Sequence, residues 1–172
     1  MKKEQITIKQ VINTLLRNWK ETRQLTLDWI KKLTLAQLNQ KLPRPGLNSF
    51  AKHIYEMGEI QKICIAALKE ENLDLTAANK LTFESCKLVA KTKGELTDFL
   101  NRCDKEFYKT LKNIDDWDKV VSIFGEKRSR YGIIELMIIH ETLHHGQFIA
   151  FGYMESIEFP KSWIDAWALP PK

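Results

Sequence analysis

The stretch IIELMIIHETLHHGQFIAF, residues 133 to 151, organises the reading of this chain. Its apolar positions Ile133, Met137, Phe148 and Phe151 recur at helical spacing and form one stripe. His140 and His144 lie in the middle of that stripe, and the polar Gln147 follows a turn later. Residues four apart project from one helix face with Cβ atoms about 6 Å apart. Two imidazoles so placed can both reach one metal ion at the roughly 2.0–2.1 Å of a Zn–N bond. Burying two such rings without partners is costly, so something must satisfy their nitrogens. A pair of hydrogen-bonded core histidines is the plain alternative, and the i, i+4 spacing favours ligation over it. Spacing alone names no function.

Length and composition narrow the classes. The 172 residues suffice for one domain, residues 1–172, with a substantial core. Seven glycines, five prolines and few alternating apolar runs point to an all-α protein. The net charge of +5 comes from 27 basic and 22 acidic residues spread along the chain. Lys2-Lys3 and Lys31-Lys32 are only short pairs, so a solvated surface is expected and nucleic-acid binding is not. Cys64, Cys86 and Cys103 are odd in number, far apart and without a CxxC pair, as reduced thiols of an intracellular protein would be. The segment MKKEQITIKQ lacks the apolar centre of a signal peptide, and no run is long enough to span a membrane. A cytoplasmic location is expected, with no membrane partner.

Four long amphipathic segments follow in order. Thr7 and Gln10 have capping-box spacing and open the first, with Val11, Ile12, Leu15, Leu16, Trp19, Trp29, Ile30 and Leu33 on its apolar face. Thr34 and Gln37 repeat the box before a short segment that Pro43 to Gly46 stops. Asn48 or Ser49 caps the second, which runs to about Lys69 and carries Phe50, Ile54, Met57, Cys64, Ile65 and Leu68. His53 shares that face and is the one histidine outside residues 133 to 151, which makes it the candidate third ligand. Residues 70 to 91 read as irregular, with one short helix around Phe83 to Ala90. Thr92 and Glu95 open the third long helix, with Leu96, Phe99, Leu100, Cys103, Phe107, Leu111 and Ile114 facing inward and Asp115-Asp116 ending it. Residues 119 to 130, with the β-prone VVSIF and Gly125, suit a small hairpin or an extended crossover, and Ser129 caps the last long helix. Phe159, Trp163 and Trp167 suit a tail that docks on the rest. Four such segments burying one stripe each predict a four-helix bundle with short connecting helices.

With these residues in place, the chain resembles the DinB/YfiT-like superfamily of metal-dependent four-helix-bundle proteins. Two regions carry the resemblance. RPGLNSFAKHIYEMGEIQ, residues 44 to 61, is similar to the family's turn and second helix with its single metal-binding histidine. HETLHHGQ, residues 140 to 147, is similar to the family's pattern of a histidine, three residues, a second histidine and then typically Arg-Gly-Gln. On that match His53, His140 and His144 correspond to the metal triad, while His145 stands where the family commonly has arginine. The resemblance implies one bound divalent metal, zinc or nickel, and a homodimer. It also implies a small-molecule substrate, such as a low-molecular-weight thiol, in branches that are hydrolases or thiol S-transferases. A non-catalytic metal-binding or stress-related binding protein is the alternative.

HETLH also reads as HExxH, the zinc metalloprotease signature, with Glu141 as general base. Its metzincin extension would need Gly at 147 and His at 150, where Gln147 and Ala150 stand. A helical bundle also offers no edge strand for a peptide to join. Three histidine ligands would leave a fourth metal position open, the catalytic arrangement, in which water or a thiol is activated. Glu56, Gln147 and Tyr131 are the candidates to accept the second N–H of a ligating histidine.

Overall fold

A computed structural model describes residues 7–83 and 88–170. Among them are seven helices: α1 (Ile8–Lys32), α2 (Leu35–Asn39), α3 (Phe50–Lys69), α4 (Thr76–Phe83), α5 (Lys93–Leu111), α6 (Arg130–Met154) and α7 (Lys161–Trp167). Between α5 and α6 lie strands β1 (Val120–Ile123) and β2 (Glu126–Ser129). The helix starts are set by side-chain caps. Thr7 with Gln10 and Thr34 with Gln37 form complete capping boxes, while Ser49, Thr92 and Ser129 each accept from a first-turn N–H. At Thr92 the box is incomplete, because the Glu95 carboxylate accepts from the Lys91 N–H instead.

Four long helices, α1, α3, α5 and α6, make the bundle. Going round it, the order is α1, α6, α3, α5, so α1 and α3 are diagonal, as are α5 and α6. The long connection from α5 to α6 is therefore a crossover, and it holds the hairpin. β1 and β2 pair antiparallel with Val120 opposite Ser129 and Ile123 opposite Glu126. Phe124 and Gly125 both take positive φ, 50° and 80°, the twist that a two-residue hairpin turn requires. At the other reversal, Gly46 has φ +73° and its Cα faces the Thr82 carbonyl so closely that a Cβ would stand 2.1 Å from that oxygen. Glycine is needed there on both counts.

Two expectations about helices are corrected. The short helix expected around Phe83 to Ala90 is instead Thr76–Phe83, started where the Asp74 carboxylate accepts from the Thr76 N–H. Residues 84–87, Cys86 among them, lie outside the described residues, and residues 88–90 are not helical. The third long helix ends at Leu111 rather than Asp115, which leaves Ile114 on the following turn.

The core is two apolar clusters stacked along the bundle. One is built around Trp29, Phe50, Phe148, Phe159 and Trp163, and the docked tail supplies the last two. Trp29 lies 5.0 Å from Trp163 and 5.6 Å from Phe50 between ring centroids, within the range of favourable aromatic pairs. The other is built around Trp19, Phe107, Ile133 and Met137, and it takes in Cys64 and the hairpin's Val121 and Ile123. Cys64 and Cys103 are buried free thiols, and burial pushes them up to about 12 and about 11. Between the clusters each long helix turns polar: Arg23 and Thr26 in α1, His53, Glu56 and Gln61 in α3, Asp104 in α5, and Glu141, His144 and His145 in α6. Among the described residues no helix is long and apolar enough to cross a membrane.

Candidate metal centre

Helix α6 presents the polar layer to two neighbours at once. One residue is about 100° of helix rotation. His140 and His144 therefore face α3, while Glu141 and His145, each one step on, face α1.

On the α3 side three donor atoms converge. The Glu56 Oε2 atom lies 2.9 Å from His144 Nε2 and 3.3 Å from His140 Nε2, and the two nitrogens are 3.3 Å apart. Tetrahedral coordination at ~2.0–2.1 Å places neighbouring donors about 3.3 Å apart, so this triangle has the edge lengths of a metal's ligand shell. Glu56, His140 and His144 all lie within 4.8 Å of one another as a possible metal-binding group. His53 stands behind His144, its Nδ1 2.8 Å from His144 Nδ1, and its ring packs on Phe148 and Phe151. Its Nε2 is buried with no hydrogen-bond partner.

The electrostatics suit a cation. Burial pushes the Glu56 carboxyl up, but the bonds from His140 and His144 outweigh it and hold the group at about 2. Glu56 is therefore ionised and accepts only. Burial lowers His144, and burial with the charges of His144 and Arg44 lowers His53 to about 3. With both rings neutral, an ionised Glu56 requires the proton of His144 on Nε2, which leaves His144 Nδ1 to accept from His53 Nδ1. His53 Nε2 is buried without a hydrogen-bond partner, and the Leu47 backbone lies near enough to His53 to raise its pKa against the lowering by burial. The donor set of Glu56, His140 and His144 fits a divalent ion, with His53 against the far nitrogen of His144.

Of the sequence-derived candidates, all three histidines are gathered in one cluster. Glu56, which the sequence offers as an acceptor behind a ligating histidine, is itself one of the converging donors. Its spacing of three from His53 puts the two on neighbouring positions of α3, a signal present in the sequence. Gln147 instead receives the Arg44 guanidinium at 3.3 Å. Tyr131, nine residues before His140, bonds the Trp117 carbonyl through its backbone N–H and contributes no contact to the cluster.

On the α1 side Arg23, Thr26, Glu141 and His145 bond to one another and to α3 and α5, although Arg23 Nη1 and His145 Nδ1 are buried without a hydrogen-bond partner. Arg23 Nη2 lies 3.1 Å from Glu141 Oε2 and donates to Gln61 at 2.7 Å, and Arg23 Nε lies 3.3 Å from Asp104. Thr26 Oγ1 donates to Glu141 and lies 2.7 Å from His145 Nε2. Glu141 is thus bound to α1 and stands outside the histidine cluster, so HETLH lacks the disposition of a protease HExxH.

A match to the chain over residues 18–148 comes from the family model described as the DinB superfamily. The chain belongs to the DinB superfamily. Among solved structures it is similar to a DinB-like protein from Bacillus cereus ATCC 10987, with a TM-score of 0.66 at 15% identity. That likeness covers 85% of this chain and 93% of the other, and at such identity it shows the shared fold. No curated protein matches this DinB-superfamily chain.

The buried neutral histidines set an acid limit on stability. His53 and His145 are both lowered from 6.5 to about 3, with burial the largest cause in each. An unfolded chain would protonate both near 6.5, so between there and about 3 the unfolded state binds more protons and stability falls with falling pH. From pH 7 to pH 5 the expected loss is about 2 kcal/mol per histidine in the metal-free chain. Urea unfolding across that range measures it, and His145→Leu should make the slope shallower, with His53 and His144 carrying the rest. A flat profile would mean that neither ring is held neutral.

Proposed function

We propose that this DinB-superfamily protein is a divalent-metal-dependent enzyme whose ion is held by His53, His140 and His144 together with Glu56. The convergence of Glu56 Oε2 with the two Nε2 atoms of α6 is the observation that carries this reading. His53 enters the set through its buried, unpartnered nitrogen. A set dominated by imidazole suits zinc or nickel. When bound, such an ion would lower the pKa of water or a thiol toward neutrality, the chemistry of a hydrolase or a thiol S-transferase.

The chain's own residues add direction. The His140 side chain is 21% exposed while those of His144 and Glu56 are 3% and 7%, so the cluster opens to solvent on the His140 side. Arg44, near enough for its charge to lower His53 and His144, brings a cation close to the cluster and suits an anionic small molecule. Low-molecular-weight thiols bearing carboxylates belong to that class. Phe148 and Phe151 against His53 keep water from the inner side.

Metal analysis of the purified chain, then a screen of the loaded protein with low-molecular-weight thiols, electrophiles and hydrolysable esters, tests the proposal. One equivalent of zinc or nickel and metal-dependent turnover are expected. His53→Ala and Glu56→Gln should each weaken the metal more than about tenfold, as loss of a group in contact with the ligands does. A His53→Ala variant that binds like the wild type would take His53 out of the set, and a chain that takes up no metal would end the proposal.

A further inference from the structure

On helix α1, Leu16, Lys20, Arg23 and Leu27 step by four, three and four, so they share one face, with Arg17 beside them. Across from them stand Asp104 and Tyr108 of α5, and between the two helices lies an open groove of roughly 650 Å³. That size is within the range of small-molecule sites. Leu16, Leu27 and the Tyr108 ring, 39% exposed, give the groove apolar walls. Arg17 and Lys20 are exposed at its edge and make no ion pair among the described residues. Arg23 lines the same groove from a buried position.

Arg23 marks where the charged end of a ligand belongs. Three helices fix its guanidinium: Asp104 of α5 lies 3.3 Å from Nε, while Glu141 of α6 and Gln61 of α3 lie 3.1 Å and 2.7 Å from Nη2. The group also stands 4.7 Å from the Trp19 ring centroid. Nη1 has neither a hydrogen-bond nor an ion-pair partner, although it is buried. A buried donor without an acceptor is costly, and a carboxylate seated on this floor supplies the acceptor. Because the guanidinium is already held in place, binding does not have to order it. The other charges narrow the ligand. Arg17 and Lys20 favour an anion, and the apolar walls favour a hydrocarbon or aryl body. Asp104, inside the groove, disfavours a second negative charge, as on a phosphate ester. A monocarboxylate meets all three conditions.

We propose that the groove between α1 and α5 binds a monocarboxylate with an apolar body, its head against Arg23 and flanked by Arg17 and Lys20. No member of the histidine cluster lines this groove, so the proposal does not depend on the metal. Calorimetric titration of the full, metal-loaded chain with sodium octanoate should show one site with a dissociation constant below about 1 mM. Acetate, which lacks the body, should bind at least about tenfold more weakly, and so should 1-octanol and octylamine, which lack the anion. The Arg23 Nε–H resonance should shift on titration with octanoate. Octanoate affinity should be unchanged in His144→Ala, which separates this groove from the ion. The double variant Arg17→Glu/Lys20→Glu alters only exposed side chains and should lose at least about tenfold, while Lys127→Glu on the hairpin should stay within about twofold. A chain that binds no octanoate, or binds 1-octanol equally well, would overturn the proposal. So would a double variant that binds like the wild type. Binding that disappears in His144→Ala would put the carboxylate on the ion and overturn it as well.

Discussion

Exchanging His144 for alanine is expected to abolish tight metal binding, the largest single effect available at this site. His144 is the hub of the cluster: its Nε2 lies 2.9 Å from Glu56 and 3.3 Å from His140, and its Nδ1 lies 2.8 Å from His53. One substitution therefore removes a donor and also the ring that orients the other members. Groups that merely support ligands cost about 10–100-fold in affinity when lost, so a ligand that also orients its neighbours should cost more than about 100-fold. Competition with a chromogenic chelator under zinc and under nickel measures the change, and circular dichroism checks that the bundle persists. A His144→Ala protein that holds metal within a few-fold of the wild type would place the ion elsewhere.

The fold could be read from the sequence largely because its helix starts are written in capping residues. Thr7, Thr34, Ser49, Thr92 and Ser129 each fix a start by bonding a backbone N–H that has no other partner. Helix ends are less legible. α5 stops at Leu111 with no glycine or proline to announce it, and the start of α4 rests on the carboxylate of Asp74, one polar residue among several. The site divides in the same way. The i, i+4 spacing put His140 and His144 on one face, and a shared face in α3 brought in His53. The same spacing in Glu141 and His145 formed a second polar face. Because α6 carries apolar residues on every side and polar ones on two of them, periodicity could not say which of its faces met α1, which met α3 and which met solvent. Only the packing order around the bundle decides that, and it sends Glu141 away from the histidines and Glu56 toward them.

That second face carries the other large expected effect, on stability. Arg23 is 4% exposed and touches Glu141, Asp104 and Gln61, so Arg23→Ala leaves Glu141 without its buried counter-charge. Breaking one partner of a buried ion pair costs about 3–5 kcal/mol, and urea unfolding at pH 7 should show a loss of that size. Glu141→Gln should cost less. Burial already pushes the Glu141 carboxyl up toward its neutral form, and an amide keeps a carbonyl oxygen for the Thr26 hydroxyl. The same variant tests the site, since Glu141 is paired to α1 and is no ligand in this arrangement: metal stoichiometry and affinity should stay within a few-fold of the wild type. If Glu141→Gln lost the metal and Arg23→Ala left stability untouched, the two faces of α6 would have been assigned the wrong way round. The polar layer would then have to be rebuilt with Glu141 at the ion.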